Sequence, residues 1–142
     1  MRPLGQRDRE LTHRRLWDIE TGQILRVFTG HTRGLTCLFW SGELIATGGN
    51  DRTIRVWNVH TGECLRVLEG HSDLVRTVAF DYQSGRLVSG SYDKTLLLHD
   101  IYDAAAPDPL VEFRRAHTSL VFHLSMTSTR LISASIRRCN DR

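Results

Sequence analysis

From Leu16 onward the chain alternates short apolar runs with clusters of Gly, Asn, Asp and Ser, and every run has the length of a strand. Leu16-Trp17-Asp18 leads through a turn at residues 19–22 into an apolar run at 24–28, which Gly30-His31 ends. Runs at 35–40, 44–47 and 53–57 follow, separated by Ser41-Gly42-Glu43 and by Gly48-Gly49-Asn50-Asp51. Within 53–57, Ile54 and Val56 fall on one face and Thr53, Arg55 and Trp57 on the other, which is the period of a strand. A turn at 59–62 leads into 64–68. The order then repeats with runs at 74–80, 87–89, 95–98 and 110–113, and a third series opens with 120–124 and 131–135. Gly supplies the positive φ of tight turns and Asn tolerates it, so the clusters predict hairpin connections between strands. No stretch shows a helical period, and the pattern predicts an all-β protein.

The connections repeat as well as the runs. Gly30-His31 recurs forty residues later as Gly70-His71, and Ala46-Thr47-Gly48-Gly49-Asn50-Asp51 recurs forty-two later as Val88-Ser89-Gly90-Ser91-Tyr92-Asp93. Trp17-Asp18 precedes Trp57-Asn58 by forty positions, and His99-Asp100 answers them downstream. A fixed period near forty residues marks a repeat architecture of four short strands per unit. The second unit departs at its last connection, where Asp103-Ala104-Ala105-Ala106-Pro107-Asp108-Pro109 replaces a tight Thr-Gly turn with a longer loop. Its two prolines cannot donate to a sheet. Ala116-His117 then stands in place of Gly-His.

Gly-His, a small-residue turn ending in Asp, and Trp-Asp at this spacing resemble the WD-repeat family over roughly residues 16–135. The resemblance implies four-stranded antiparallel blades of a beta-propeller, and extends more loosely to the propellers of F-box adaptor proteins. The expectation is an all-β, partial WD-repeat beta-propeller of about three blade equivalents. Its parts are a half blade at 16–29, full blades at 30–69 and 70–115, and a half blade at 116–135. Residues 1–15 and 136–142 are expected to be irregular. Aligning Trp17 on Trp57 sets Arg14 opposite Ile54 and Leu11 opposite Asp51, and at the other end Arg137 takes the place of Asp51 and Asp93. Three blades are fewer than the four to eight with which propellers close, so open edges are expected to invite self-association. A truncated piece of a larger propeller is the alternative expectation.

Two constellations look like catalytic chemistry. His31, Thr47 and Asp51, and again His71, Ser89 and Asp93, each pair a hydroxyl with a base and an orienting carboxylate. The resemblance implies instead a structural Asp-His-Ser/Thr-Trp tetrad, which Trp57 completes in the first unit. Two copies also argue against a single active site. His99 replaces the indole in the second unit and leaves that tetrad short, while His117 and Ser133 offer half of a third. A hydrolase using His71, Ser89 and Asp93 is the contrasting reading, but the chain has no Gly-x-Ser-x-Gly elbow, metal motif or phosphate loop. By position, the resemblance places a partner-binding face at Arg33, Thr36, Asn50 and Arg52, and at Asp73, Arg76, Tyr92 and Lys94. Arg52 and Arg76 are candidates to hold a phosphate or carboxylate, which guanidinium matches with two parallel hydrogen bonds.

Composition narrows the partner. The 142 residues are 40% hydrophobic and 25% charged with a net charge of +3, a globular balance. The basic residues are scattered in pairs such as Arg14-Arg15 and Arg114-Arg115 rather than gathered on one run, so nucleic-acid binding is not expected. Cys37, Cys64 and Cys139 are odd in number and stand apart from other ligands, which argues against disulfides and zinc and suits a reducing compartment, cytoplasm or nucleus. No run approaches membrane-helix length, and the N-terminal segment lacks a secretory h-region. The functional expectation is a non-catalytic protein-interaction scaffold or adaptor, such as a substrate module of a ubiquitin ligase. It takes a protein or peptide partner, acidic or phosphorylated, and no cofactor, metal or membrane.

Overall fold

The computed structural model describes residues 14–105, 108–114 and 116–135. Leu11, Arg137 and Cys139, and the expectations attached to them, lie outside the described residues. Among the described residues, twelve strands are arranged in four antiparallel sheets. β1 (Arg14–Trp17) pairs with β2 (Ile24–Phe28). β3 (Leu35–Ser41), β4 (Leu44–Gly49), β5 (Ile54–Asn58) and β6 (Cys64–Leu68) follow in order as one four-stranded sheet. β7 (Val75–Asp81), β8 (Arg86–Ser91), β9 (Leu96–Asp100) and β10 (Val111–Phe113) form the next, and β11 (Val121–Met126) pairs with β12 (Leu131–Ser135). The two complete sheets share one register. β4 on β5 runs from Leu44↔Asn58 to Gly48↔Ile54, and β8 on β9 runs from Arg86↔Asp100 to Gly90↔Leu96.

Successive sheets pack face to face, so the strands of a complete sheet bury both faces. Ala46, Ile54, Val56 and Leu68 of one sheet meet Val75, Val78, Phe80 and Leu87 of the next in a single core, where Phe39 and Phe80 stand edge to face at 5.1 Å. On the opposite face of the first complete sheet, Ile45, Trp57 and Val59 meet Phe28 and Leu16 from β1–β2. Val88 and Leu96 in turn meet Val121 and Leu124. The alternation in β5 therefore separates two cores rather than a core from solvent. Each fully buried aliphatic or aromatic side chain contributes about 1.5–3 kcal/mol, so these inter-sheet layers dominate the stability.

One expectation from the sequence is corrected. Gly48 and Gly49 were expected in a turn, but both belong to β4, and the turn lies at Asn50–Arg52 instead. The reason is packing: a Cβ at Gly48 would stand 2.6 Å from Cys37 Sγ and 2.7 Å from Val75 Cγ1. Gly90 does the same in the second sheet, where a Cβ would lie 2.5 Å from Val121 Cγ1. These glycines let adjacent sheets approach. In the turns after β4 and β8 the positive φ falls on Arg52 (67°) and Lys94 (72°), whereas Gly22, Gly42, Gly62 and Gly85 carry it in the hairpin connections. Arg14, aligned with the buried Ile54, is only half-buried, and that burial pulls its guanidinium below the usual range.

Candidate functional site

The Gly30-His31 connection before β3 brings an imidazole against the ends of β4 and β5. His31 Nδ1 donates to Asp51 Oδ2 at 2.8 Å, and His31 Nε2 accepts from the Thr47 hydroxyl at 2.7 Å. Thr47 Oγ1 accepts in turn from the Trp57 indole at 2.9 Å, so Asp51, His31, Thr47 and Trp57 form one continuous chain. Asp51 also receives the backbone N–H of Thr32 at 3.1 Å, which ties the connection before β3 to the turn after β4. Burial pushes the His31 imidazole below its ordinary pKa, with the Asp51 hydrogen bond opposing that shift, which fits a neutral ring serving as both donor and acceptor. Burial would raise the Asp51 carboxyl, but hydrogen bonds from Thr53 and His31 outweigh it and hold the group below the usual carboxylate range.

The second unit repeats the inner part. His71 Nδ1 lies 2.9 Å from Asp93 Oδ2, and His71 Nε2 accepts from Ser89 at 2.8 Å. Asp93 too is held well below the usual range, with burial again opposed and outweighed by the His71 and Thr95 hydrogen bonds. The fourth member differs. His99 is fully buried, yet its Nδ1 faces Asp108 Oδ1 in a short hydrogen bond and its Nε2 has no partner among the described residues. In the third unit His117 Nε2 lies 2.7 Å from Ser133 Oγ.

Three participants escaped the sequence reading. Thr53 Oγ1 donates to Asp51 Oδ1 at 2.8 Å, and Thr95 Oγ1 donates to Asp93 Oδ1 at 2.6 Å. The repeated Asp51-Arg52-Thr53 and Asp93-Lys94-Thr95 was the available signal. Asp108 had none, because nothing in a proline-flanked loop points to a buried histidine nine residues away.

As a hydrolytic arrangement these sets fail on access. Ser89 is 0% exposed and Thr47 is 1% exposed, so neither hydroxyl can meet a substrate carbonyl. Their chemistry is the mutual satisfaction of buried polar groups, which fixes loops to strands. Among the described residues no group of three or more His, Cys, Asp and Glu side chains is gathered as a metal would require.

The loop-end residues divide into separate places. Arg33, Asn50 and Arg52 line one shallow depression with Thr32 and Asp51. Thr36 and Arg76 line another on the innermost strands β3, β7 and β11, where the Arg76 guanidinium lies 4.4 Å from the Phe122 ring centre. Arg52 and Arg76 thus face different cavities. Asp73 Oδ1 accepts the Leu74 N–H at 2.7 Å, Tyr92 N–H donates to Leu74 O at 3.2 Å, and Lys94 is exposed at the second turn.

Repeated four-stranded sheets stacked face to face and pinned by His-Asp-hydroxyl ties define a WD-repeat propeller module. The family description "WD domain, G-beta repeat" matches residues 22–58 and 62–100, more than half of the chain, and the chain belongs to that family. Protein ROOT INITIATION DEFECTIVE 3 of Arabidopsis thaliana is 44% identical over 42 residues, 28% of this chain and 10% of that protein. Among solved structures, the computationally designed Ika8 protein superposes with a TM-score of 0.77 at 31% identity, covering 87% of this chain and 37% of its own. The computationally designed Ika4 protein gives 0.71 at 32% identity, covering 85% and 72% respectively. U3-55K shares the fold with a TM-score of 0.78 at 22% identity, over 88% of this chain and 40% of its own. The chain spans a tenth of the curated relative and under half of the Ika8 chain.

Proposed function

We propose that the chain is a non-catalytic recognition module that binds an acidic or phosphorylated peptide at the depression lined by Arg33, Asn50 and Arg52. WD repeats serve as protein-interaction scaffolds, and that much follows from the family. The observation that supports the finer reading is the turn after β4. Arg52 adopts φ 67°, and its N–H donates to Gly49 O at 3.2 Å. A non-glycine residue in left-handed backbone costs about 1–2 kcal/mol, and such strain clusters where a side chain is put to use. Two guanidinium groups beside the Asn50 amide present a donor array suited to a planar or tetrahedral anion, while the Asp51 oxygens are occupied by His31, Thr32 and Thr53. Service as a substrate adaptor of a larger complex, such as a ubiquitin ligase, is a specific form of this reading.

The test is a fluorescence-anisotropy titration with a phosphoserine peptide set against its unphosphorylated form. The expected result is preference for the phosphorylated peptide, weakened by salt, with at least a tenfold loss on Arg52→Gly. Equal binding of both peptides, or undiminished binding by that variant, overturns the reading.

A further inference from the structure

Repeat-equivalent positions differ sharply in exposure at the two open ends. Trp57 is 2% exposed, whereas Trp17, its counterpart on β1, is 49% exposed. Phe80 on β7 is 3% exposed, whereas Trp40, its counterpart on β3, is 54% exposed. Ala46 is 0% exposed, whereas Ile132 on β12 is 74% exposed. Each exposed member lies where the complete sheets place a neighbouring strand or sheet. Among the described residues β1 pairs only with β2 and β12 only with β11, so each two-stranded sheet ends on a strand that no other described strand joins.

Those two edges match. Ser133 corresponds to Thr47 and Ser89, since the hydroxyl of each is hydrogen-bonded to Nε2 of the Gly-His or Ala-His imidazole of its own unit. Arg15-Leu16-Trp17-Asp18 corresponds to Arg55-Val56-Trp57-Asn58. Carrying the register of β4 on β5 across sets Ser133 opposite Arg15, as Thr47 is opposite Arg55, and Leu131 opposite Trp17, as Ile45 is opposite Trp57. In the complete sheet that register lets the Trp57 indole donate to Thr47 and stand edge to face with Phe28 at 5.8 Å. At the other open end an apolar notch of about 320 Å³ is lined by Leu96, Phe113, Ala116 and Leu131. Phe113 and Leu131 are the counterparts of Phe28 and Ile45 by strand register, because Phe113 pairs with Leu96 as Leu68 pairs with Ile54. The notch is therefore an indole site without an indole, and Trp17 is an indole without its site.

We propose that two copies of this chain close one ring, in which β1–β2 of each copy completes β11–β12 of the other as a four-stranded blade and Trp17 fills the notch beside Ser133. The inference is independent of the peptide site. A second copy is the occupant because the chain itself carries both halves of the missing interface in compatible register, including the donor that Ser133 lacks among the described residues. The count also closes. The twelve strands among the described residues of each copy make six four-stranded blades for two copies, within the four to eight of closed propellers, whereas three copies would exceed that range. Closure pairs both open edges and covers Trp17, Ile132 and Trp40, removing the features that drive aggregation.

The test is size-exclusion chromatography with light scattering on the 142-residue chain at micromolar concentration. The expected mass is twice 16.2 kDa, in one symmetric peak. Trp17→Ala and Leu131→Asp, both on side chains exposed in the single chain, should return the mass to one copy while circular dichroism retains the β signal. Trp17→Phe, which keeps a ring but no donor, should dissociate at a higher concentration than the unaltered chain. Hydrogen exchange should show β1 and β12 amides becoming protected as concentration rises. A single-copy mass, a polydisperse aggregate, or a dimer unaffected by both Trp17→Ala and Leu131→Asp overturns the proposal.

Discussion

The two complete blades solve the same problem with different fourth members. In the first, Trp57 fills the space between its own sheet and β1–β2 and also donates to Thr47, so one side chain provides bulk and a hydrogen bond. In the second, His99 occupies the register position of Trp57 but does not bond Ser89, and Asp108 reaches in from the loop before β10 to satisfy its other nitrogen. The Asp-His-hydroxyl core survives in both with nearly identical distances. The inner three residues and the indole are therefore separable devices. The former tie loop to turn within a blade, and the latter joins one blade to its neighbour.

The largest effect should come from breaking that asymmetry at its bulky end. Trp57→Ala removes a buried aromatic and the Thr47 donor together, and should destabilise by about 3–5 kcal/mol. His99→Ala removes a smaller ring whose Nε2 has no partner among the described residues, and should cost distinctly less. Chemical denaturation of both variants measures the gap. Equal losses would mean that the indole has no special role between blades.

A smaller and symmetric effect is expected in the inner core. Asp51→Asn and Asp93→Asn each weaken a charge-assisted network that binds a histidine, a threonine hydroxyl and a backbone N–H, and each should cost about 1–3 kcal/mol. The same groups set the acid limb. His31 and His99 resist protonation in the folded chain, mainly through burial, so the unfolded chain takes up protons first and stability falls as pH drops below about 6.5. Asp51 and Asp93 are depressed, so their contribution is complete above about 4 and is lost below it as they protonate. On the alkaline side, burial raises Cys37 to about 11, so the unfolded thiol ionises first and stability declines above about pH 8.5. Thermal midpoints across pH should show the acid loss, with Asp93→Asn flattening its lower part. An acid limb unchanged in that variant would remove the carboxylate from the account.

Strand order, sheet membership and the His-hydroxyl pairing were legible because each is repeated in the text with its spacing. A register that recurs at about forty residues constrains the fold more than any one run does. What escaped was of two kinds. Gly48 and Gly90 carry the same letter whether they serve a turn or a close approach, and only the neighbouring sheet, through Val75 and Val121, decides between them. Asp108 lies in a long connection that departs from the repeat, so the repeat gave no position to compare. The candidate partner-binding residues could be read only as a set of loop ends. Its division into the Arg33–Arg52 depression and the Arg76 site over Phe122 depends on how the innermost strands converge.

The smallest effect separates fold from recognition at equivalent turns. Arg52 and Lys94 both hold positive φ, and both donate their N–H to the residue three back, Gly49 and Ser91. Glycine enters that backbone without strain but raises the entropy of the unfolded chain, so Arg52→Gly and Lys94→Gly should each stabilise by no more than about 1 kcal/mol. Arg52→Val, β-branched in the same backbone, should instead destabilise by about 1–2 kcal/mol. Only Arg52→Gly removes a guanidinium from the depression beside Arg33 and Asn50, so it alone of the two glycine variants should lose the phosphopeptide. Parallel melting and anisotropy measurements make the distinction. If Lys94→Gly weakens binding as much as Arg52→Gly, the ligand spans both blades, and the depression on the first cannot be the whole site.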